Sequence, residues 1–502
     1  MVHLAPLFVA IPLGAAFLSL LVKAVAPRVA GILSVAAAAA LLFLAVVALL
    51  GVDSGATAAG GWGAVSEGGV VFLGGIVVVL DGLSRLFLIT VAVVASAVVV
   101  YGVKYMAPYT GKPLYHSLLW LMIAGMNGVV ISGDLFNLYV FLEIGGIASY
   151  SLVAFGTKGE EVEASFKYLV LGCVASAAIL IAIALTYSAT GALNMADVAA
   201  AVAAGKVPDA ALFFVSALFL AGFGLKAAMM PFHAWLPDAH PSAPAPISAM
   251  LSGLLIKTLG IYAIVRIFFS VLGVGWHAQV LLLAFGSISM VGGVFLALGQ
   301  DDFKRLLAYH SISQMGFVFV ALGVNTTLGL VAGLFHAVNH ALFKSALFLS
   351  SGSLERITGT RKLSEMGGLV RRAPMTSLAT IGAALSISGI PPFNGFWSKL
   401  LIIVALVSGG HHAVAGIAGL TALMTLMSFI KVQRKALFGA LPERLAGVRE
   451  VSAVMFVPVL ALALLCLATG ILWPLGLSDL LDRAAAAAGS VGDYMGLVTG
   501  GR

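Results

Sequence analysis

Residues 329–351 read GLVAGLFHAVNHALFKSALFLSS, and this stretch decides the fold. Its 23 residues suffice for one helix across a bilayer, which takes about 20. It holds no proline and no acidic residue. Yet His336, Asn339, His340 and Lys344 interrupt the apolar run. His336, His340 and Lys344 stand at i, i+4 and i+8, so they share one helical face. A helix that only sat in lipid would not carry such a face.

The rest of the chain has the same character. Of 502 residues, 61% are hydrophobic and 9% charged, and the mean hydropathy is +1.11. Lipid satisfies no backbone group, so an all-α polytopic membrane protein is expected. Charges nonetheless recur inside apolar stretches, at Glu143, Lys167, Lys226, Lys257, Lys344 and Lys399. A charge near the bilayer centre costs roughly 2.5–3.5 kcal/mol, and such residues mark functional sites by default. A file of them suggests a path for ions or protons.

Several function classes are excluded. The net charge of +7 is no nucleic-acid signal, because the basic residues cluster in short loops. Cys173 and Cys466 cannot build a disulfide framework or an iron–sulfur site. There is no GxxxxGK[ST] and no strand-linked GxGxxG. No cofactor is expected, and energy must come from a gradient or a partner subunit. The first apolar run lacks a basic leader and is expected to be a retained helix.

Apolar runs place fourteen spans near 4–22, 30–50, 82–103, 115–133, 135–156, 165–188, 209–230, 244–268, 279–298, 306–324, 329–351, 371–408, 412–433 and 452–474. Span twelve is broken by Pro391-Pro392, and span seven meets Pro231 near its end. Residues 69–80 are expected to form a re-entrant piece or a surface hairpin, with a fifteenth span as the alternative. With the N-terminus outside, the inner loops hold 17 basic residues and the outer side holds 5, Arg28 among the former and Arg85, Arg266 and Arg502 among the latter. That bias fits fourteen spans with both termini outside.

An internal repeat is suggested by Ala164-Ser-Phe-Lys167 in span six and Ala341-Leu-Phe-Lys344 in span eleven. Lys226 before Pro231-Phe232 and Pro392-Phe393 before Lys399 form a second echo. Members of each pair lie five spans apart, so the copies would be inverted. Inverted repeats with broken helices are the build of many secondary transporters. The chain then divides into 1–110 (spans one to three), 111–270 (spans four to eight), 271–435 (spans nine to thirteen) and 436–502 (span fourteen and a tail).

The histidine face of span eleven suits a proton relay, since imidazole takes and gives protons near neutrality. Structural polar contacts and a zinc site are the rival readings. Lys344 would repel a cation, and no helix-borne glutamate stands beside the histidines, so no metal is assigned. Glu143, two and a half turns into span five, needs a lysine partner to stay ionised, and Lys226 is the candidate. A static buried ion pair is the alternative. Lys257 lies too deep in span eight to snorkel, whereas Lys167 is near its span's inner end and can. His310 is a candidate inner gate. His233, Asp238 and His240 either serve access or shape the turn after span seven.

Gly133-Asp-Leu-Phe-Asn-Leu-Tyr-Val-Phe-Leu-Glu143, Lys226 with Pro231-Phe-His-Ala-Trp-Leu-Pro-Asp-Ala-His240, Ile256-Lys257 and Pro391-Pro-Phe-Asn-Gly-Phe-Trp-Ser-Lys399 together resemble the antiporter-like membrane subunit family. That family spans Mrp-type sodium/proton antiporters, respiratory complex I and membrane-bound hydrogenases. The resemblance covers about residues 80–435. It implies fourteen helices, two inverted five-helix repeats and broken helices seven and twelve. It implies that Glu143 and Lys226 are the coupling pair, Lys257 the central lysine, His340 and Lys344 polar positions of helix eleven, and Lys399 the far end of the axis. Tyr187–Asp197, Arg356–Thr360 and Met366-Gly-Gly368 look like the D-type component of Mrp antiporters, while Met230–Pro241 looks more like the hydrogenase and complex I subunits. The implied activity is proton translocation in an Mrp-type cation/proton antiporter, with a redox-driven complex as the alternative setting. Whether the chain belongs to an enzyme therefore depends on its assembly. The expected partners are other membrane subunits, protons, Na+ as a second candidate ion, and the lipid of a prokaryotic cell membrane. A quinone-binding subunit and a solute carrier are the rival functions.

Overall fold

The computed structural model describes residues 2–23, 29–51, 54–59, 64–67, 70–73, 76–476 and 478–499. Arg28 and Arg502 of the charge count lie outside them, as do residues 69, 74 and 75 of the short apolar piece. Among the described residues, twelve helices are long and apolar enough to cross a membrane. They are Val2–Val22, Val29–Leu50, Gly82–Tyr105, Lys112–Ile131, Leu135–Val153, Gly159–Thr190, Asp209–Lys226, Ala245–Val271, Trp276–Leu298, Phe303–Gly323, His412–Leu437 and Ala453–Leu475. The polar helix that carries His336 to Lys344, Thr327–Thr358, is 32 residues long and stands outside that count. Span twelve is two shorter helices, Pro374–Ser388 and Asn394–Ser408.

Both breaks occur where backbone groups find substitute partners, the condition for irregular chain at membrane depth. Span seven stops at Lys226, earlier than the proline suggests, with Ala228 in the left-handed region at φ 56°. The freed Leu225 carbonyl accepts from the Trp235 indole at 3.1 Å, and the Met230 amide donates to Ser289 at 2.9 Å. A short helix, Leu236–Ser242, then leads into span eight. In span twelve the left-handed Gly389 ends the first half.

The fold is nearly all-helical, as expected, with one β element. Strand Gly55–Ala59 pairs antiparallel with Ile76–Leu80, and Ala64–Glu67 pairs with Val70–Leu73 between them. The apolar Gly/Val piece is thus part of a hairpin that begins at Gly55, not a fifteenth span. Its last strand is pinned where the Gly133 amide donates to Val77 at 2.8 Å.

Contacts between loops sort the helix ends into two faces. On one, Arg356 donates to the carbonyls of Lys104 and Tyr105, Arg361 to Pro241 and Arg444 to Thr358. This is the basic face. On the other, Arg266 binds Asp81, and the tail helices Ser478–Gly489 and Val491–Thr499 pack nearby: Ser270 donates to Ala488 and Tyr494 to the Met195 sulfur.

One set of hydrogen bonds occurs twice, on opposite faces. Asp134 caps the helix of span five through the Asn137 amide, and Asp302 caps that of span ten through the Arg305 amide. Leu135 donates to Leu193 and Phe303 to Arg361, both at 2.9 Å; Met195 donates to Gly133 and Leu363 to Asp301. Spans six and eleven are both 32 residues long and end at left-handed Gly191 and Gly359. Every one of these correspondences is an offset of 168 residues, for example 302 less 134. The Phe-Lys echo has an offset of 177 (344 less 167) and pairs residues in different places. In the hydrogen-bonded register Lys344 corresponds to Ser176.

Candidate functional site

The site begins where span seven ends. Lys226 is the last helical residue before the break. Its ammonium lies 3.8 Å from Glu143, whose side chain is 26% exposed against 4% for the lysine. The Tyr150 hydroxyl accepts from Lys226 at 3.2 Å, and the Ser176 hydroxyl donates to Glu143. Tyr150 stands seven residues after Glu143, two turns along the same face of span five.

Span eight carries the next lysine between two close helix approaches. A Cβ on Gly260 would collide with Ala227 at the break, and one on Gly253 would collide with Ser345 of span eleven. At Gly260 the obstacle includes the Ala227 backbone, and at Gly253 it is the Ser345 hydroxyl. Lys257 sits between them, on a stretch, Leu251–Tyr262, that winds with wide five-residue turns. Such turns are frequent at functional sites. The Lys257 ammonium donates to the Ser252 carbonyl. It is buried within electrostatic reach of Lys344 on span eleven.

The face seen in residues 329–351 points into the protein. His336, His340 and Lys344 are fully buried. Phe343 lies against both imidazoles, with ring centroids at 6.2 Å from His336 and 5.3 Å from His340. Among the described residues, both ring nitrogens of His340 and the Lys344 ammonium have no hydrogen-bond partner. Asn339 holds the break of span twelve: it donates to the Asn394 carbonyl at 3.1 Å and accepts from the Asn394 amide side chain at 2.8 Å. That break delivers Ser398 and Lys399. Ser398 is 3.0 Å from His336 Nδ1, and the Lys399 ammonium donates to Ile387 at 2.7 Å. Phe317 links the two, 5.7 Å from the His336 ring and 5.3 Å from the Lys399 ammonium.

Spans seven, eight, eleven and twelve thus place Lys226, Lys257, Lys344, His340, His336 and Lys399 inside the protein, with Glu143 of span five partly exposed beside Lys226. Hydroxyls, aromatic faces and unsatisfied nitrogens lie among them. Groups of this kind can pass protons, and a charge on one changes the cost of a charge on the next. Among the described residues, no cluster of three or more His, Cys, Asp or Glu could hold a metal.

Residues 132–425 match the family described as NADH:quinone oxidoreductase/Mrp antiporter, TM. The chain belongs to this family. Among members of the NADH:quinone oxidoreductase/Mrp antiporter family, the D-type component of the Na+/H+ antiporter of Alkalihalophilus pseudofirmus is 34% identical, over 73% of this chain and 74% of its own. The N-type component of the NADH-quinone oxidoreductase of Desulforudis audaxviator is 32% identical, over 78% of this chain and 81% of its own. The fold is similar to a chain in the Mrp complex from Dietzia sp. DQ12-45-1b, with a TM-score of 0.88, 30% identity and 99% of both chains covered. It is also similar to a chain of the membrane-bound sulfane sulfur reductase, an archaeal respiratory membrane complex, with a TM-score of 0.90, 31% identity and 99% of both covered.

The residues expected to serve access differ in burial. Lys167 is half-exposed on the basic face, 2.8 Å from Glu163 and 3.1 Å from Asp238, which also faces Arg305 at 3.8 Å. His310 is buried two turns inside span ten, 2.8 Å from Ser428. His233 lies half-buried in the break of span seven. His240 is fully buried, with neither ring nitrogen partnered among the described residues. Ser176 and Ser398 are further site residues; lone serines in apolar helices give no spacing signal. Tyr150 is legible from its two-turn spacing to Glu143.

Proposed function

We propose that this chain is the proton-translocating membrane subunit of a multisubunit cation/proton antiporter of Mrp type. Protons move along Glu143, Lys226, Lys257, Lys344, His340, His336 and Lys399. The observation that carries this is the loose Glu143–Lys226 pair at the broken end of span seven, followed by buried amines and imidazoles up to the second break. Lys226 released from Glu143 becomes a proton donor to the next group, and Lys226 held by Glu143 does not. The duplicated hydrogen bonds support two inverted repeats, 111–270 and 271–435, flanked by 1–110 and 436–502. Counting Thr327–Thr358 and the broken span twelve as crossings, the chain has fourteen spans, with the basic face on the cytoplasmic side. Both termini then lie outside. Na+ is the counter-ion this reading supplies.

Glu143 supports the need for partners. A carboxylate that is 26% exposed on an apolar wall with Phe136 and Val140 is costly in lipid, and a neighbouring membrane subunit would cover it. The TM-score of 0.90 to the sulfane sulfur reductase chain favours a second setting, the proton channel of a redox-driven complex. Mild-detergent purification from native membranes, with mass spectrometry of every co-purifying subunit, separates the two. Small membrane subunits with a larger antiporter-like relative are expected for the exchanger. Iron–sulfur or hydrogenase-type subunits would replace it with the redox-driven reading. Recovery of the chain without any other subunit would overturn both.

A further inference from the structure

We propose that His240, fed by the Glu355–Lys304 pair, is the entrance through which protons from the basic face reach Lys344. This rests on the proton-translocating function proposed above and adds its inlet. The basic face opens into a cleft of about 690 Å³ whose lining includes Glu355, Ser242, Asp302 and Arg361. At its floor, Glu355 pairs with Lys304 at 3.3 Å. Lys304 is buried, at 4% side-chain exposure, and its ammonium also donates to the Ala243 carbonyl at 3.1 Å. Ala243 is three residues beyond His240, and Ser248 donates to the His240 carbonyl at 2.8 Å. The cleft floor and the histidine are thus tied to one short segment between spans seven and eight.

His240 points the other way, into the protein. It is completely buried, and neither ring nitrogen has a hydrogen-bond partner among the described residues. Its ring lies 4.8 Å from Phe348, and the Lys344 ammonium lies 5.7 Å from the same phenyl ring. Lys344 likewise has no hydrogen-bond partner among the described residues. Buried polar atoms without protein partners are ordinarily satisfied by water. Two such groups against one aromatic ring, between a wet cleft and the lysine file, make a water-bridged path. The charged groups that act on His240 are Lys344, Lys257 and Lys304.

The transfer balances without any other reactant. Glu355 takes a proton from cleft water and passes it through water to one ring nitrogen of His240. The proton on the other ring nitrogen moves through water to the neutral Lys344 amine. Glu355 is again a carboxylate, the imidazole is neutral with its tautomer exchanged, and Lys344 is an ammonium.

The test uses the assembled complex in membrane vesicles, with proton movement read by a pH-sensitive dye. The complex is driven by Na+ or by the reductant that co-purification identifies. His240→Gln is expected to slow proton movement at least about tenfold, the scale of losing a positioned proton carrier. Glu355→Gln is expected to slow it about tenfold at alkaline pH and less than twofold at acid pH, where protons are abundant. A purely structural carboxylate would give the same loss at every pH, and that result overturns the proposal. So does a wild-type rate in His240→Gln when Lys226→Ala is inactive, which leaves the function standing. A wild-type rate in Lys226→Ala removes the function itself. If His240→Gln does not assemble, Ser242→Cys in a chain with Cys173 and Cys466 replaced by serine is probed with an impermeant maleimide. Labelling from the basic face supports the inlet, and labelling from the opposite face or none overturns it.

Discussion

Lys226–Glu143 and Arg266–Asp81 are both acid–base pairs of the helical body, and they are built in opposite ways. Arg266 and Asp81 meet at 2.8 Å with side-chain exposures of 0% and 1%. Arg266 also donates to the Tyr262 hydroxyl at 3.2 and 3.1 Å and lies 4.9 Å from the Tyr494 ring of the tail. Asp81 is the N-cap of span three through the Ser84 amide at 2.8 Å. Each charge therefore has several partners, and the two charges join spans three and eight to the tail. Lys226 has Glu143 at 3.8 Å and one phenol, and Glu143 is partly open to the side of the protein. A saturated pair resists separation, because either charge alone would be stranded in a dry site. A loose pair at a helix break separates with little loss, as a switch requires. In the function proposed above, partner count and closeness are what distinguish a brace from a working pair.

The largest expected effect breaks the loose pair. Lys226→Ala in the assembled complex is expected to lower proton movement by at least about 100-fold, the scale of removing a group the proton must visit. Subunit stoichiometry by native mass spectrometry is expected to stay unchanged. Transport retained in this variant would make the pair a brace like the other. The second effect has the opposite profile. Arg266→Met leaves Asp81 buried without its partner, at a cost of about 3–5 kcal/mol. A lowered melting temperature and a reduced yield of assembled complex are expected, and adding Asp81→Asn is expected to restore much of both. Equal stability in the single and double variants would show that the pair is not coupled as its geometry indicates.

The contrast between the pairs also explains what can be read in the chain. Lys226, Lys257, Lys344, Lys399 and Glu143 stand out because lipid makes a mid-span charge costly. The face of His336, His340 and Lys344 follows from helical period alone. Arg266 and Asp81 lie 185 residues apart in sequence at the ends of spans, where a charge is ordinary, so nothing marks them as buried. The family resemblance agrees with the residues on the broken helices, and the family itself is shown by the match over 132–425. The Phe-Lys words have an offset of 177, not the 168 of the duplicated hydrogen bonds. Backbone punctuation follows the 168 offset: an aspartate that caps a helix and, 57 residues later, a left-handed glycine, at Asp134 and Gly191 and again at Asp302 and Gly359. Cap residues are selected by geometry rather than hydrophobicity, so they survive where side-chain resemblance fades. The hairpin from Gly55 is only half legible, since its apolar second half is too short to span and its first half is too small and polar to register.

The smallest expected effect sharpens the comparison through one atom in each pair. Tyr150 and Tyr262 both offer a hydroxyl to the cation beside them. In Tyr150→Phe the Lys226 ammonium loses an acceptor that it has while paired and while released. The change is expected to alter transport a few-fold, for about 1 kcal/mol of hydrogen bond, with the melting temperature unmoved. In Tyr262→Phe, Arg266 loses an acceptor it cannot replace in a site it never leaves. About 1.5–3 kcal/mol of stability is expected to go, as for hydrogen bonds to charged groups, while the complex that still assembles transports at the wild-type rate. Thermal denaturation and dye-reported proton movement on the same two preparations decide it. If each variant moved both readings together, the two pairs would differ in tightness and not in job. A crossed result would mean that the hydroxyl beside Lys226 tunes a charge that moves and the one beside Arg266 holds a charge that does not.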